Sequence, residues 1–171
     1  MKIEIDEIVM KVYHIVRNEL EYAVGDFIQP KIYCLDDFDL KKRQMEEELE
    51  NVRKESFPDF PSRLSCLFVC YDMDDVEFWA MMKSSIYGSQ FEVLTLEVTK
   101  PVFWFSAESY NMFFGGQRKD LHQACKEFWE SNKKTELDKL IDREGMTNGA
   151  ANIIEIKQAR ISRGKGLEFL V

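Results

Sequence analysis

The segment from Phe57 to Lys83, FPDFPSRLSCLFVCYDMDDVEFWAMMK, restricts the possible folds more than any other part of the chain. Phe57-Pro58 and Phe60-Pro61 force extended backbone and stop any helix arriving from upstream. Leu64 to Tyr71 then reads as a buried strand. Asp72 caps the helix that follows, and Asp74 and Asp75 suit its positive N-terminal end. Met73, Val76, Trp79 and Ala80 form that helix's inward stripe. Strand, tight acidic turn and helix must therefore pack as one local unit.

The rest of the chain supplies partners for it. Met10 to Arg17 (MKVYHIVR) is β-branched and aromatic, a strand signal. Alternation sets Val12, His14 and Val16 on one face and Tyr13, Ile15 and Arg17 on the other. Val24-Gly25-Asp26 marks a turn, and Phe27-Ile28 before Pro30 reads as a short extended piece. Asp36 to Glu55 is the most charged window; Leu40, Met45, Leu49 and Val52 recur at near-helical spacing behind Asp39, so an amphipathic surface helix is expected. Phe91 to Val98 and Val102 to Phe105 read as strands, separated by Pro101. Gly115-Gly116 opens a second helical zone, in which Leu121, Ala124, Cys125, Phe128 and Trp129 follow helical spacing. Thr135 restarts a helix with Leu137, Leu140 and Ile141 inward, and Gly145 to Asn152 is a loop. Ile153 to Ile161 and Leu167 to Val171 close the chain as a hairpin through Ser162 to Gly166. Six or seven strands with inserted helices predict an α+β domain with a mostly antiparallel or mixed sheet split in two.

With 171 residues, a single domain with a sizeable core is expected, and no disulfide or metal staple is needed. The formal charge of -8 disfavours a nonspecific nucleic-acid or anionic-membrane surface, because phosphate binding begins with clustered Lys and Arg. The N-terminus carries Glu4, Asp6 and Glu7 where a signal peptide needs an apolar run. No stretch approaches the roughly 20 apolar residues of a membrane helix, so a soluble, cytoplasmic protein is expected. Cys34, Cys66, Cys70 and Cys125 include no CxxC pair; Cys66 and Cys70 share a strand face and read as buried reduced thiols, and no metal site is expected.

Several residues could carry chemistry. His14 lies inside a strand beside Tyr13, where a histidine is either a hydrogen-bonded structural residue or a site residue. Arg63 and Ser65 flank the mouth of the central strand, where a guanidinium and hydroxyls could hold an anion or a ribose. The alternative for Arg63 is packing over Phe57 or Phe60, or pairing with an acidic neighbour. Glu155 interrupts the apolar run Ile153-Ile154-Glu155-Ile156, so it is either on a wet face or aimed at a cleft, and Glu97 is its rival. Tyr87 and Tyr110 could offer rings for stacking. No P-loop, GxGxxG, HExxH or GxSxG pattern is present, and His122 reads as a surface residue.

The order of the pieces resembles a family. A strand Tyr13-His14-Ile15-Val16-Arg17 comes first, then Gly25-Asp26, then Pro61 to Val69 with the helix Asp74 to Met82, then the strand Phe91 to Val98. Phe128-Trp129 and the closing Ile153 to Ile156 complete the pattern. This resembles small bacterial and phage proteins of unknown function grouped with the ADP-ribosyltransferase-like fold, over most of the chain outside the charged helix at 36–55. The resemblance implies NAD as cofactor and transfer of ADP-ribose to an acceptor. In it, His14 would bind the adenosine ribose, Ser65 would lie near the second motif, and Glu155 would orient the nicotinamide ribose and acceptor. Arg63 and Tyr87 would join the cofactor site. The usual Gln/Glu-x-Glu is here Ile153-Ile154-Glu155. The loss of its first polar residue favours the alternative, a non-catalytic acidic module that keeps the fold and binds a protein partner.

Overall fold

The computed structural model describes residues 9–133 and 136–170. Its elements are β1 (Met10–Arg17), β2 (Phe27–Ile28), β3 (Lys31–Ile32), α1 (Leu40–Ser56), β4 (Ser65–Val69), α2 (Met73–Met82), α3 (Ser84–Tyr87), β5 (Gln90–Val98), β6 (Phe103–Ser106), α4 (Glu108–Phe114), α5 (Leu121–Glu130), β7 (Arg143–Thr147), β8 (Ala151–Ser162) and β9 (Gly166–Phe169). The strands form two sheets. One has the order β1-β5-β8-β2, with β9 added to the far end of β8; the other has the order β3-β4-β7-β6. Every pairing is antiparallel, so the α+β class and the split sheet are as expected. The sheets meet at one point. Tyr13 N–H donates to Cys70 O at 2.9 Å and Cys70 N–H to Tyr13 O at 2.7 Å, after which β1 and β4 part.

Both faces of β4 and β5 carry core residues, which removes a clean polar–apolar alternation from their sequences. Cys66 of β4, Cys70 just after it, and Phe91 and Val93 of β5 face a core with Trp79, Leu49, Phe105, Phe128 and Trp129. Leu67 and Val69 of β4 and Leu94, Leu96 and Val98 of β5 face a second core with Val12, Trp104 and Ile153. Indole N–H groups tie helices to this frame: Trp129 Nε1 donates to Leu49 O and Trp79 Nε1 to Arg143 O, each at 2.8 Å. The two prolines deliver Phe60 into the first core, where its ring stacks on Trp129 and meets Phe105 edge-on at 5.2 Å.

The caps are where the sequence places them. Asp39 accepts from Lys42 N–H and Asp72 from Asp75 N–H, each at 3.0 Å. Asp75 and Asp72 also hold Arg143 of β7, at 2.8 Å each, so the acidic start of α2 has an ionic partner as well as a helix dipole. The charged window forms α1, and its stripe Met45, Leu49 and Val52 is buried against the rest of the core rather than lying over it.

Four regions differ from the expectation. Gly115-Gly116 precedes the expected helix, α5, but also ends an unexpected one, α4; its residues ESYNMFF are mostly weak helix formers, and packing rather than propensity holds them. The segment expected as a loop from Gly145 contains the buried strand β7, whose sequence REGMT has only one β-branched residue. Glycine is required there because Trp104 covers it: a Cβ on Gly145 would lie 2.4 Å from the ring. After α5 the described residues form two 3-10 turns, Ser131–Lys133 and Leu137–Lys139, instead of a helix; Leu140 is buried but Ile141 is exposed, and the expected start at Thr135 lies outside the described residues. Strand β3 was not expected. Because α1 is part of the core, Leu49→Ala should cost about 2–5 kcal/mol in urea unfolding. Glu55→Ala on the exposed face of the same helix should change stability by no more than about 0.5 kcal/mol.

Candidate functional site

The site begins where the sheets part. A ladder continuing from the Tyr13–Cys70 pair would next bond Ile15 to Phe68. Instead the His14 side chain takes that carbonyl, with Nδ1 2.7 Å from Phe68 O. A carbonyl only accepts, so Nδ1 carries the hydrogen and Nε2 of the neutral ring presents a lone pair. Burial lowers the pKa of this imidazole, the Phe68 carbonyl opposes that, and the Lys83 charge lowers it further; the net direction is down from 6.5. His14 is therefore a neutral wedge between the two sheets.

The wedge borders a cleft of about 620 Å³. Its walls carry Arg17, Lys31, Lys42, Arg63 and Lys83 against one carboxylate, Glu46. That local balance is opposite in sign to the whole chain's -8, and it suits an anion. Tyr33, Phe68 and Tyr87 add rings to the same walls. At its inner end His14, Lys83 and Tyr87 also line a smaller cavity of about 30 Å³, together with Glu144. Arg17 reaches the cleft although alternation points it away from His14, because it is the last residue of β1.

Arg63 lines the cleft but is already engaged. Its Nε and Nη2 donate to Glu46 at 3.0 and 3.1 Å, and its Nη1 pairs with Glu144. Glu144 also accepts from the Tyr110 hydroxyl at 3.2 Å. Burial alone would lower the Arg63 pKa, but the fields of Glu144 and Glu46 outweigh it and hold the guanidinium charged. Of the two readings of Arg63, the acidic pairing is the one realised; the acids come from α1 and β7, not from its sequence neighbours. Lys83 is the reverse case: among the described residues its ammonium has no ion pair or hydrogen bond, and it faces the rings of Trp79 at 5.0 Å and Phe68 at 5.7 Å. Burial, Arg63 and Lys42 lower its pKa, while Glu144 and Glu46 oppose them.

The remaining candidates are elsewhere. Ser65 is exposed at the start of β4, paired with Ile32, and does not line the cleft. Glu155 stands opposite Thr95, whereas His14 stands opposite Leu94. Successive strand residues face opposite sides, so Glu155 and His14 project from opposite faces of the sheet. The Glu155 carboxylate accepts from Thr95 Oγ1 at 3.3 Å and pairs with Lys157 on an exposed surface. His14, Arg63 and Tyr87 thus come together, and Ser65 and Glu155 do not join them. Tyr110 is a core residue, and exposed His122 meets Glu48 at 2.7 Å across α5 and α1.

A family model described as a protein of unknown function, DUF2441, matches residues 32–159. The chain belongs to this family. No curated protein matches it. The DUF2441 match takes in α1, Arg63, Lys83, Tyr87 and Glu144, and so most of the cleft wall; His14 precedes it. Lys83, Lys42, Tyr33 and Glu144 were missed from sequence. For Lys83 a signal existed, as it ends the tryptophan-bearing helix without an acidic residue four positions before it.

Removing Arg63 while keeping its partners, as in Arg63→Met, leaves Glu46 and Glu144 buried without a counter-charge. Urea unfolding should show a loss of about 3–5 kcal/mol. For His14 the lowered folded-state pKa means that the unfolded chain binds more protons as pH falls below 6.5. Its contribution to stability is therefore present above that pH and is lost on acidification through the window below it. His14→Asn, which keeps a donor for Phe68 O, should show a shallower fall in stability over that window than the wild type.

Proposed function

We propose that the chain is an ADP-ribosyltransferase-like protein whose cleft binds NAD or a related nucleotide and transfers ADP-ribose to an acceptor. The observation that carries this is His14, set where the two sheets part and lining a cleft of rings and unpaired cations. A volume of about 620 Å³ falls in the usual range for small-molecule sites. Tyr33 and Tyr87 offer faces to planar bases, and Lys42 and Lys83 offer charge to a pyrophosphate. Transfer breaks the bond from the nicotinamide nitrogen to the ribose and forms one to the acceptor.

Calorimetric titration with NAD tests the reading. Wild type should bind, His14→Ala should bind roughly tenfold more weakly for loss of one hydrogen bond and its wedge, and Glu155→Gln should match wild type. Absence of binding up to millimolar NAD would reject it. The alternative, a non-catalytic acidic module that binds a protein partner, is favoured by one observation: the glutamate of the resemblance lies on the far face of the sheet.

A further inference from the structure

The nucleotide reading uses Lys83 only as a charge, but its surroundings suit it for more. Its amine has no ionic or hydrogen-bonding partner among the described residues. It lies between two aromatic rings and opens on both the main cleft and the inner cavity of about 30 Å³. That cavity has room for about one water or one small polar group. His14 lines it too, and the Nδ1–H bond to Phe68 leaves Nε2 as a base. A desolvated amine flanked by cations, beside a neutral imidazole, is the arrangement that activates lysine as a nucleophile.

We propose that Lys83 is a carbonyl-reactive amine that condenses with the aldehyde of a phosphorylated substrate seated in this cleft. The phosphate is held by Arg17, Lys31 and Lys42, which line the main cleft and have no ion pairs among the described residues. In the step, the neutral amine attacks the carbonyl carbon and a C–N bond forms. The two protons of the amine nitrogen pass in turn through His14 Nε2 to the former carbonyl oxygen, the first making the carbinolamine hydroxyl and the second letting it leave as water. The product is an imine, and nothing is oxidised or reduced. The groups facing the amine are Glu144 of β7, Glu46 and Lys42 of α1, Arg63 before β4, His14 of β1 and Tyr87 of α3. Burial and the neighbouring cations Arg63 and Lys42 favour the free amine, against Glu144 and Glu46.

The test is trapping with pyridoxal 5′-phosphate near neutral pH, followed by sodium cyanoborohydride, digestion and mass mapping. The adduct should concentrate on Lys83 in the folded wild type. Pyridoxal, which lacks the phosphate, should label it less, and inorganic phosphate should compete with the phosphorylated probe. Lys83→Met should remove the labelled site, and His14→Asn should slow adduct formation by about 10²-fold, the contribution of a positioned base. Labelling spread evenly over exposed lysines such as Lys100 and Lys157, or an unlabelled Lys83, would overturn the proposal; an unchanged rate in His14→Asn would overturn the role of His14. The wild-type map does not depend on any variant folding. This inference does not rest on NAD: Lys83 labelling without NAD binding would reject only the nucleotide reading, and NAD binding without labelling only this one.

Discussion

The structure depends on a guanidinium buried between two carboxylates. Arg63 joins Glu46 of α1 to Glu144 of β7, and Tyr110 of α4 completes the group from behind. A charge so far from water is tolerated only when it is paired and hydrogen-bonded, so these four elements are held in one relative arrangement. Three rings, Phe68, Tyr110 and Phe128, face the guanidinium at 4.9 to 5.1 Å and exclude solvent from it. Arg143, held by Asp72 and Asp75, does the same for α2 against β7. β7 is thus fastened through Glu144 to α1 and through Arg143 to α2.

That fastening gives the cleft its character. Arg63 brings one positive charge to two carboxylates, so the group alone is net negative, and the nearby Lys83 ammonium offsets that through space without a contact. Where the sheets part, the His14 side chain occupies the carbonyl that a continuing ladder would have given to a backbone N–H, so that group stays satisfied at the opening. Arg17, Lys31, Lys42 and Lys83, which have no ion pair among the described residues, line this opening in a chain whose overall charge is -8.

Much of the fold was legible because its signals are local. The Asp39 and Asp72 caps, the stripe on α5, the alternation of β1 and β5 and the β8–β9 hairpin depend on residues within a few positions of one another. β7 was not legible: its strand conformation comes from pairing on both edges with β4 and β6, and its glycine serves the Trp104 ring from another strand. α4 was hidden for a related reason, as Ser109 and Tyr110 are fixed by bonds to Ala124 and Glu144 rather than by helix-forming composition.

The candidate site divides the same way. Sequence alone determined that His14 sits in a strand, that Arg63 precedes the central one, and that the domain is α+β with a split antiparallel sheet. Each follows from residue chemistry and short-range spacing. Tertiary structure alone decided which of these residues share a space. The register across β1, β5 and β8 puts Glu155 on the opposite face from His14, while the pairing of β4 with β7 brings Glu144 to the inner cavity beside Lys83. A one-residue difference in register reverses the face of every side chain, and no single strand's sequence encodes its register against another.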